Sequence, residues 1–363
     1  MESEKLSMEN MVKKNHFKNK RILILGNTGF IGSWLSLTLN KLGSDVLGFS
    51  LNKKNKNYLS NTKEYKKNIK TINGDIENFT KYLNKIKKFK PEIVVHLASQ
   101  AIVANSYIKT IETYNTNAMG TVHLLECLKK IKSVKKIIMF TSDKVYKNLY
   151  AKTLTEKSNL GGIDPYSSSK SCQDIIANSY YLSVFKKKIQ FTILRAGNVI
   201  GGGDWGDLRL VPDIFTSIKN KKQIILRNPS AVRPWQHVLD IVNAILLSIN
   251  YKKKFDKNAN IFNLAPNNKS HINVLTFLKY VKKFLKKKKL KYKYKKIKFY
   301  ESRVLKLSNK LAKKELKWAP KLNIEDSIKL TTTWYESILK NKKKNYTITI
   351  EQINKYFGLR NNL

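Results

Sequence analysis

Acidic residues are scarce in this chain: 25 Asp and Glu stand against 71 Lys and Arg, a formal net charge of +46 over 363 residues. Such an excess usually points to nucleic acid or an acidic membrane. Its distribution argues against a dedicated polyanion partner, because lysines run along the whole chain beside abundant Asn and Ile. Only Lys282 to Lys298 is dense, and its interspersed apolar residues read as the solvated face of a helix and strand, with a polyanion contact as the alternative. Cysteine is nearly absent. Cys127 and Cys172 lie in helix-like segments without CxxC spacing, which excludes a disulfide framework and a metal site and fits a reducing cytoplasm. The polar stretch from Met1 to Lys20 lacks the apolar core of a signal peptide. No apolar run approaches the ~20 residues of a membrane span, so neither membrane nor nucleic acid is an expected partner.

Arginine is the more telling scarcity. Only seven of the basic residues are arginine, and four of them, Arg195, Arg209, Arg227 and Arg233, fall within 39 residues. Five of the 15 glycines crowd into residues 197 to 206 of the same region. A chain that uses lysine almost everywhere keeps the guanidinium here, where a planar fork grips phosphate or carboxylate in a way an ammonium does not. The region reads as an anion-binding site in an enzyme.

With 42% hydrophobic residues the chain can bury a large core, in one elaborate domain or two closely joined ones. Residues 1 to 18 read as a polar tail. Apolar runs at Arg21–Leu25, Asp45–Phe49, Lys70–Ile72, Ile93–Leu97, Lys136–Phe140 and Gln190–Leu194 read as buried strands. Helical spacing separates them at Ser33–Leu42, Phe79–Phe89, Thr110–Lys130 and Ser167–Lys186. This alternation predicts an α/β fold, a Rossmann-type doubly wound parallel sheet. Beyond residue 198 the pattern breaks into loops, then resumes with a helix at Val238–Ile249 and a strand at Asn260–Leu264. The expected division is a cofactor-binding domain over 19–198, to which 235–265 returns, and a smaller substrate-binding domain from 199–234 and 266–363.

Gly26-x-x-Gly29-x-x-Gly32 lies between a strand and a helix. There glycines permit a tight turn and let the helix N-terminus, at Gly32, face a pyrophosphate. NAD is the expected cofactor. An NAD site usually has an acidic residue after the second strand, whereas Ser50, Asn52, Lys53 and Lys54 stand here; the lysines fit a 2′-phosphate or merely the composition. Asp75 is placed to take the adenine amino group or to cap its own loop, and Leu97, Ala98 and Ser99 end the fourth strand where a cofactor would lie close. Tyr166 and Lys170, four apart at a helix start, share one face. A nearby ammonium lowers a phenol towards a usable base, and Ser142 is placed to bond the same substrate oxygen.

Together with Thr141-Ser-Asp-Lys-Val-Tyr146, Pro165-Tyr-Ser-Ser-Ser-Lys170, Arg195-Ala-Gly-Asn-Val-Ile-Gly-Gly-Gly-Asp-Trp205 and Arg233-Pro-Trp-Gln-His237, these features resemble the extended short-chain dehydrogenase/reductases. Within that epimerase/dehydratase family they resemble the CDP-glucose 4,6-dehydratases, over about residues 17 to 340. The glycine motif belongs to the whole superfamily; the Ser-Asp-Lys and Gly-Gly-Gly-Asp-Trp strings are more selective. The resemblance implies NAD held by Gly26, Thr28, Gly29, Phe30, Ile31, Gly32, Asp75, Ile76, Leu97, Ala98, Ser99, Tyr166 and Lys170. It implies a catalytic set of Ser142, Asp143, Lys144, Tyr166 and Lys170, with Asp143 protonating the departing C6 hydroxyl. Lys144 stands where dTDP-glucose enzymes carry a glutamate as C5 base, and Ala104 where relatives carry arginine. Asn198, Arg209, Leu210, Arg233, His237 and Asn263 would bind the nucleotide diphosphate, although His237 equally suits a hydrogen-bonded core histidine. Thr110–Lys130 and Ser167–Lys186 would form a four-helix interface in a homodimer or higher oligomer. The implied reaction is dehydration of CDP-D-glucose to CDP-4-keto-6-deoxy-D-glucose, towards deoxysugars of surface polysaccharide or lipopolysaccharide. The rivals are another sugar-nucleotide dehydratase or 4-epimerase, and a Rossmann module that has lost catalysis and binds polyanions.

Overall fold

The computed structural model describes residues 16–52, 58–147, 153–186, 188–252, 258–267, 270–287, 289–295 and 306–359. Seven parallel strands form its sheet: β1 (Arg21–Leu25), β2 (Asp45–Ser50), β3 (Lys70–Asn73), β4 (Ile93–His96), β5 (Lys136–Phe140), β6 (Gln190–Ala196) and β7 (Asn260–Leu264). Their spatial order is β3-β2-β1-β4-β5-β6-β7. The order reverses between β1 and β4, which pair Leu25 with His96. A crevice opens at the strand ends there, the place where such sheets bind ligands.

Side-chain alternation along each strand fills both faces. Ile22 and Ile24 of β1 join a core with Val95, Ile138, Leu194 and the helices Phe30–Lys41 and Val238–Asn250. Leu23 and Leu25 join the opposite core with Val94, Ile137, Ile193 and the helices Gly120–Leu128 and Pro165–Ser179. The expected doubly wound α/β sheet is present. Phe17, expected inside the polar tail, is fully buried in the first core, and its carbonyl accepts from Ser44 Oγ at 2.9 Å. Its aromatic ring covers the edge of that core, so ordered structure begins earlier than polarity suggested.

Two expected helices are interrupted by wider π turns. The first runs Thr110–Tyr114, widens at Asn115–Met119 and continues as Gly120–Leu128; the second, Pro165–Ser179, widens at Tyr180–Val184. Such turns re-aim side chains. Asn117, in the first, accepts from Ser99 Oγ and the Gln100 amide, both at 2.9 Å, and donates to Ser169 Oγ at 2.9 Å. It ties the end of β4 to the helix carrying Tyr166.

After β6 the chain forms short strand pairs, Val199–Ile200 with Gln236–His237 and Val232–Pro234 with His271–Asn273, and the helix Leu210–Lys219. Two C-terminal helices, Ile324–Leu339 and Asn345–Phe357, then fold back. Trp334 packs on Gly202 so closely that a Cβ there would lie 2.0 Å from its ring, while Trp34 Nε1 donates to the Gly202 carbonyl at 2.9 Å. Among the described residues no helix is long and apolar enough to cross a membrane.

Candidate active site

Of the three glycines after β1, two serve the turn itself. A Cβ on Gly26, whose φ is +83°, would lie 2.7 Å from the Ala98 amide at the end of β4, and one on Gly32 would lie 2.1 Å from the Gly26 carbonyl. Gly29 is different: its φ is an ordinary −71°, and an added Cβ would meet only the Gly26 carbonyl, at 3.1 Å. It precedes the helix Phe30–Lys41 and offers no side-chain cap, so the first helical amides have no local side-chain acceptor. Gly32 thus lets the helix close on the turn, and Gly29 leaves the space over the amides open. This cradle fits a dinucleotide.

Around it, Thr28 Oγ1 lies 2.6 Å from Ser50 Oγ at the end of β2, a hydroxyl pair where an acidic residue commonly stands. Lys53 and Lys54 lie outside the described residues. Asp75 accepts from the Glu77 amide at 3.0 Å through Oδ1, so it caps its loop, and Ile76 behind it is buried. Ser99 Oγ is taken up by Asn117, while Leu97 and Ala98 are half-buried beside the turn.

Tyr166 is fixed by a capped helix start. Asp164 accepts from the Ser167 amide at 2.9 Å and from Ser167 Oγ at 2.6 Å, and Pro165 supplies the preset φ of the first turn. The Ser142–Lys144 turn at the end of β5 brings Ser142, Asp143 and Lys144 to the same cleft, a cavity of about 420 Å³ that Phe30, Ile31, Asn198 and Tyr166 also line. Burial pushes the Tyr166 phenol up to about 12, and a hydrogen bond with Ser142 pulls it back. Lys170 was expected to lower that phenol. Instead its amine contacts Gln173 Oε1 at 2.8 Å, and burial draws it down to about 7 against the charge of Asp174. Four residues of spacing put Lys170 on the right helix face, but its own desolvation and a glutamine one turn on decide where the amine rests.

Asp143 is the most perturbed acid of the cleft. Burial lifts its carboxyl from 3.8 to about 6, against the charge of Lys144, a Ser142 hydrogen bond and the charge of Arg233. Oδ1 accepts from Ser142 Oγ at 3.1 Å, whereas Oδ2 is buried without a hydrogen-bond partner. A Cβ at Gly197 would press on Oδ2 at 3.0 Å, so glycine there leaves this oxygen its room. A buried carboxyl lifted towards neutrality, with one uncommitted oxygen, can give a proton to a departing group.

The arginine cluster divides. Arg209, Arg227 and Arg233 line the cleft with Leu210 and Asn198. Arg209 pairs with Asp204 at 3.0 Å, and Arg227 pairs with Asp213. Arg195 does not reach the cleft: at 2% exposure it forms a two-point pair with Asp174, both contacts 2.8 Å. His237 and Asn263 also leave the expected substrate set, being fully buried and absent from the cleft wall. His237 caps the helix Val238–Asn250 by accepting from the Leu239 amide at 3.2 Å, and burial holds its imidazole near 3. Asn263 receives the Tyr146 hydroxyl at 2.5 Å and gives its amide to Glu156 at 2.8 Å. Sequence reasoning missed Asp204, although it stands inside the glycine string, and missed Asn228, for which no local signal exists; both line the cleft.

A dinucleotide cradle at a Rossmann switch point, a Tyr-x-x-x-Lys helix and a neighbouring acid define a Rossmann-type enzyme class built for a dinucleotide cofactor. The chain matches the GDP-mannose 4,6 dehydratase family over residues 23–331 and belongs to it. CDP-glucose 4,6-dehydratase of Salmonella typhimurium is 36% identical over 335 residues, covering 90% of this chain and 93% of the relative. The structure of dTDP-glucose 4,6-dehydratase from Bacillus anthracis in complex with NAD is similar with a TM-score of 0.74 at 26% identity, over 88% of this chain and 97% of that one. UDP-glucose 4-epimerase from Thermotoga maritima, with UDP-glucose, reaches 0.76 at 26% identity over 88% and 99%.

The cradle can be tested without catalysis. Gly29→Val should leave the thermal transition close to the parent's and weaken NAD binding at least about tenfold, because the side chain fills the space over the helix amides. Unchanged affinity in titration calorimetry would place the pyrophosphate elsewhere.

Proposed function

We propose that the protein dehydrates CDP-D-glucose to CDP-4-keto-6-deoxy-D-glucose with NAD as a bound, regenerated cofactor. The observation that carries this reading is Asp143: a buried carboxyl near 6 with an uncommitted oxygen, in the same cleft as Tyr166 and Ser142. The 36% identity to a CDP-glucose 4,6-dehydratase supports the choice of nucleotide.

Bound over Gly26–Gly32, the cofactor would take hydride from sugar C4 and return it to C6. Tyr166 removes the C4 hydroxyl proton while Ser142 holds the same oxygen. The C4 ketone then acidifies the C5 hydrogen. Lys144, half-buried on the cleft wall, is the candidate to receive that proton as a neutral amine and to return it to C5 when hydride reaches C6; in its charged form it restrains Asp143. Asp143 gives its proton to the C6 hydroxyl, which leaves as water. Asn198, Arg209, Leu210 and Arg233 hold the diphosphate end, the arginines by charge-assisted hydrogen bonds. The positive field of the whole chain favours arrival of an anionic substrate.

On this reading residues 19–198, with 235–265, carry the cofactor, and 199–234 with 266–363 carry the sugar nucleotide. Cys127 and Cys172 are free thiols, which supports a cytoplasmic enzyme. A homodimer is supported by apolar residues left exposed on the two interrupted helical rods, Ile111 at 78% and Ile175 at 55%. Ile111→Lys combined with Ile175→Lys should yield a folded monomer in analytical ultracentrifugation where the parent sediments as a dimer or larger; a parent that already sediments as a monomer removes the interface.

The function itself is tested by incubating the protein with NAD and, separately, the CDP-, dTDP-, UDP- and GDP-glucose sugars. A 4-keto-6-deoxy product from CDP-glucose is expected. Inversion at C4 without loss of water would make the protein an epimerase, and salt-dependent RNA binding without turnover would make it a polyanion-binding module.

A further inference from the structure

Gln173 lies one turn beyond Lys170 and is fully buried, and its amide has only one way to face. Its Nε2 donates to Thr121 Oγ1 at 3.1 Å, and Thr121 gives its own proton to the Asn117 carbonyl at 2.7 Å, inside the π turn. With that proton committed, the Thr121 oxygen can only accept from its other neighbours. His96 Nε2, 3.3 Å away, therefore donates as well. Burial, and then the charge of Lys170, hold His96 near 3, so its ring is neutral and has a single N–H to give. The polarity of the chain is thereby fixed, and it ends with Gln173 Oε1 turned to the Lys170 amine at 2.8 Å.

We propose that Gln173 is a positioning residue of the reaction: its tethered amide oxygen sets where the Lys170 amine rests and favours its protonated form. The proposal rests on the reading of Tyr166 and Lys170 as the reacting pair. An acceptor on an ammonium stabilises the charged state, against a burial that draws Lys170 down to about 7. The other groups that face the amine come from several elements. Asp174, on the same helix, is engaged by Arg195 of β6. Neutral His96 comes from β4, Tyr166 is one turn back, and β5 offers the Phe140 carbonyl at 3.4 Å. Gln173 is thus a contact that can be changed while the Asp174–Arg195 pair stays in place.

The test is a titration of the cofactor-free protein carrying ε-13C lysine, with Lys170→Arg identifying the signal, followed by turnover of CDP-glucose against pH. In Gln173→Leu the Lys170 midpoint should move to lower pH, and kcat at neutral pH should fall about tenfold with KM unchanged. Gln173→Glu places a carboxylate on the amine and should move the midpoint to higher pH, carrying the alkaline limb of kcat with it. Opposite movements of one midpoint do not arise from loosened packing. If Gln173→Leu does not fold, the upward movement in Gln173→Glu decides alone. A folded Gln173→Glu protein whose Lys170 titrates as in the parent overturns the proposal. The expected midpoints in a protein that turns over no sugar nucleotide would uphold the role of Gln173 and remove the proposed function instead.

Discussion

In Asp143→Asn, sugar oxidation should survive and elimination should stall. The amide keeps the shape of the side chain and its contact with Ser142 but has no proton to give to the C6 hydroxyl. General acid catalysis contributes about 10²–10⁴-fold, so release of the 6-deoxy product should slow by that factor. Near-ultraviolet absorbance of reduced nicotinamide should then build up after mixing with CDP-glucose. The same variant should be more stable than its parent at neutral pH. Asp143 titrates at about 6 in the fold, above its ordinary 3.8, so its neutral form is the one the fold favours. The stability tied to that form is fully present below about pH 4 and is lost as pH rises through about 6. At pH 8 the buried charge costs about 3 kcal/mol, which the asparagine avoids. Melting temperatures of parent and variant should thus diverge from pH 4 to pH 8, with the variant higher. A variant that turns over at the parental rate would strip Asp143 of its role as acid and favour the epimerase reading.

Tyr166→Phe should show neither the absorbance nor the product. A phenol near 12 is almost wholly protonated at neutral pH, so a Tyr166 base would depend on Ser142 and the positive charge of Arg209, which favour the phenolate, and on Lys170 once substrate is bound. Removing the oxygen removes the acceptor altogether, and kcat should fall about 10²–10⁴-fold while CDP-glucose still binds. The measurement is single-turnover absorbance beside a binding isotherm. Turnover within about tenfold of the parent would move the base elsewhere in the cleft.

The sheet was readable because a strand buried on both faces writes its limits into consecutive apolar residues. β1 and β7 begin and end at the residues their apolar runs mark, and the Gly26 turn follows at once. Tyr166 was readable for a similar reason, since Asp164 and Pro165 announce a helix start. The rest depended on partners remote in the chain. Arg195 looks like its neighbouring arginines until Asp174, 21 residues earlier, is folded against it. The π turn at Asn115–Met119 has no periodicity of its own; its Asn117 makes three contacts to the end of β4 and one to Ser169 on the Tyr166 helix. His237 and Asn263 sit in motifs that suggest ligands, yet His237 Nδ1 is taken by a backbone amide and Asn263 Oδ1 by the Tyr146 hydroxyl of the same molecule.

Gly202 is held between Trp34, near the start of the chain, and Trp334, near its end. The Gly202 loop beside the cleft therefore has no finished support until the helix Ile324–Leu339 has been made. A nascent chain can assemble its parallel sheet earlier, since those strands follow one another, but it cannot present a competent cleft. Removing the helix Ile324–Leu339 should therefore disable chemistry carried by residues far earlier in the sequence.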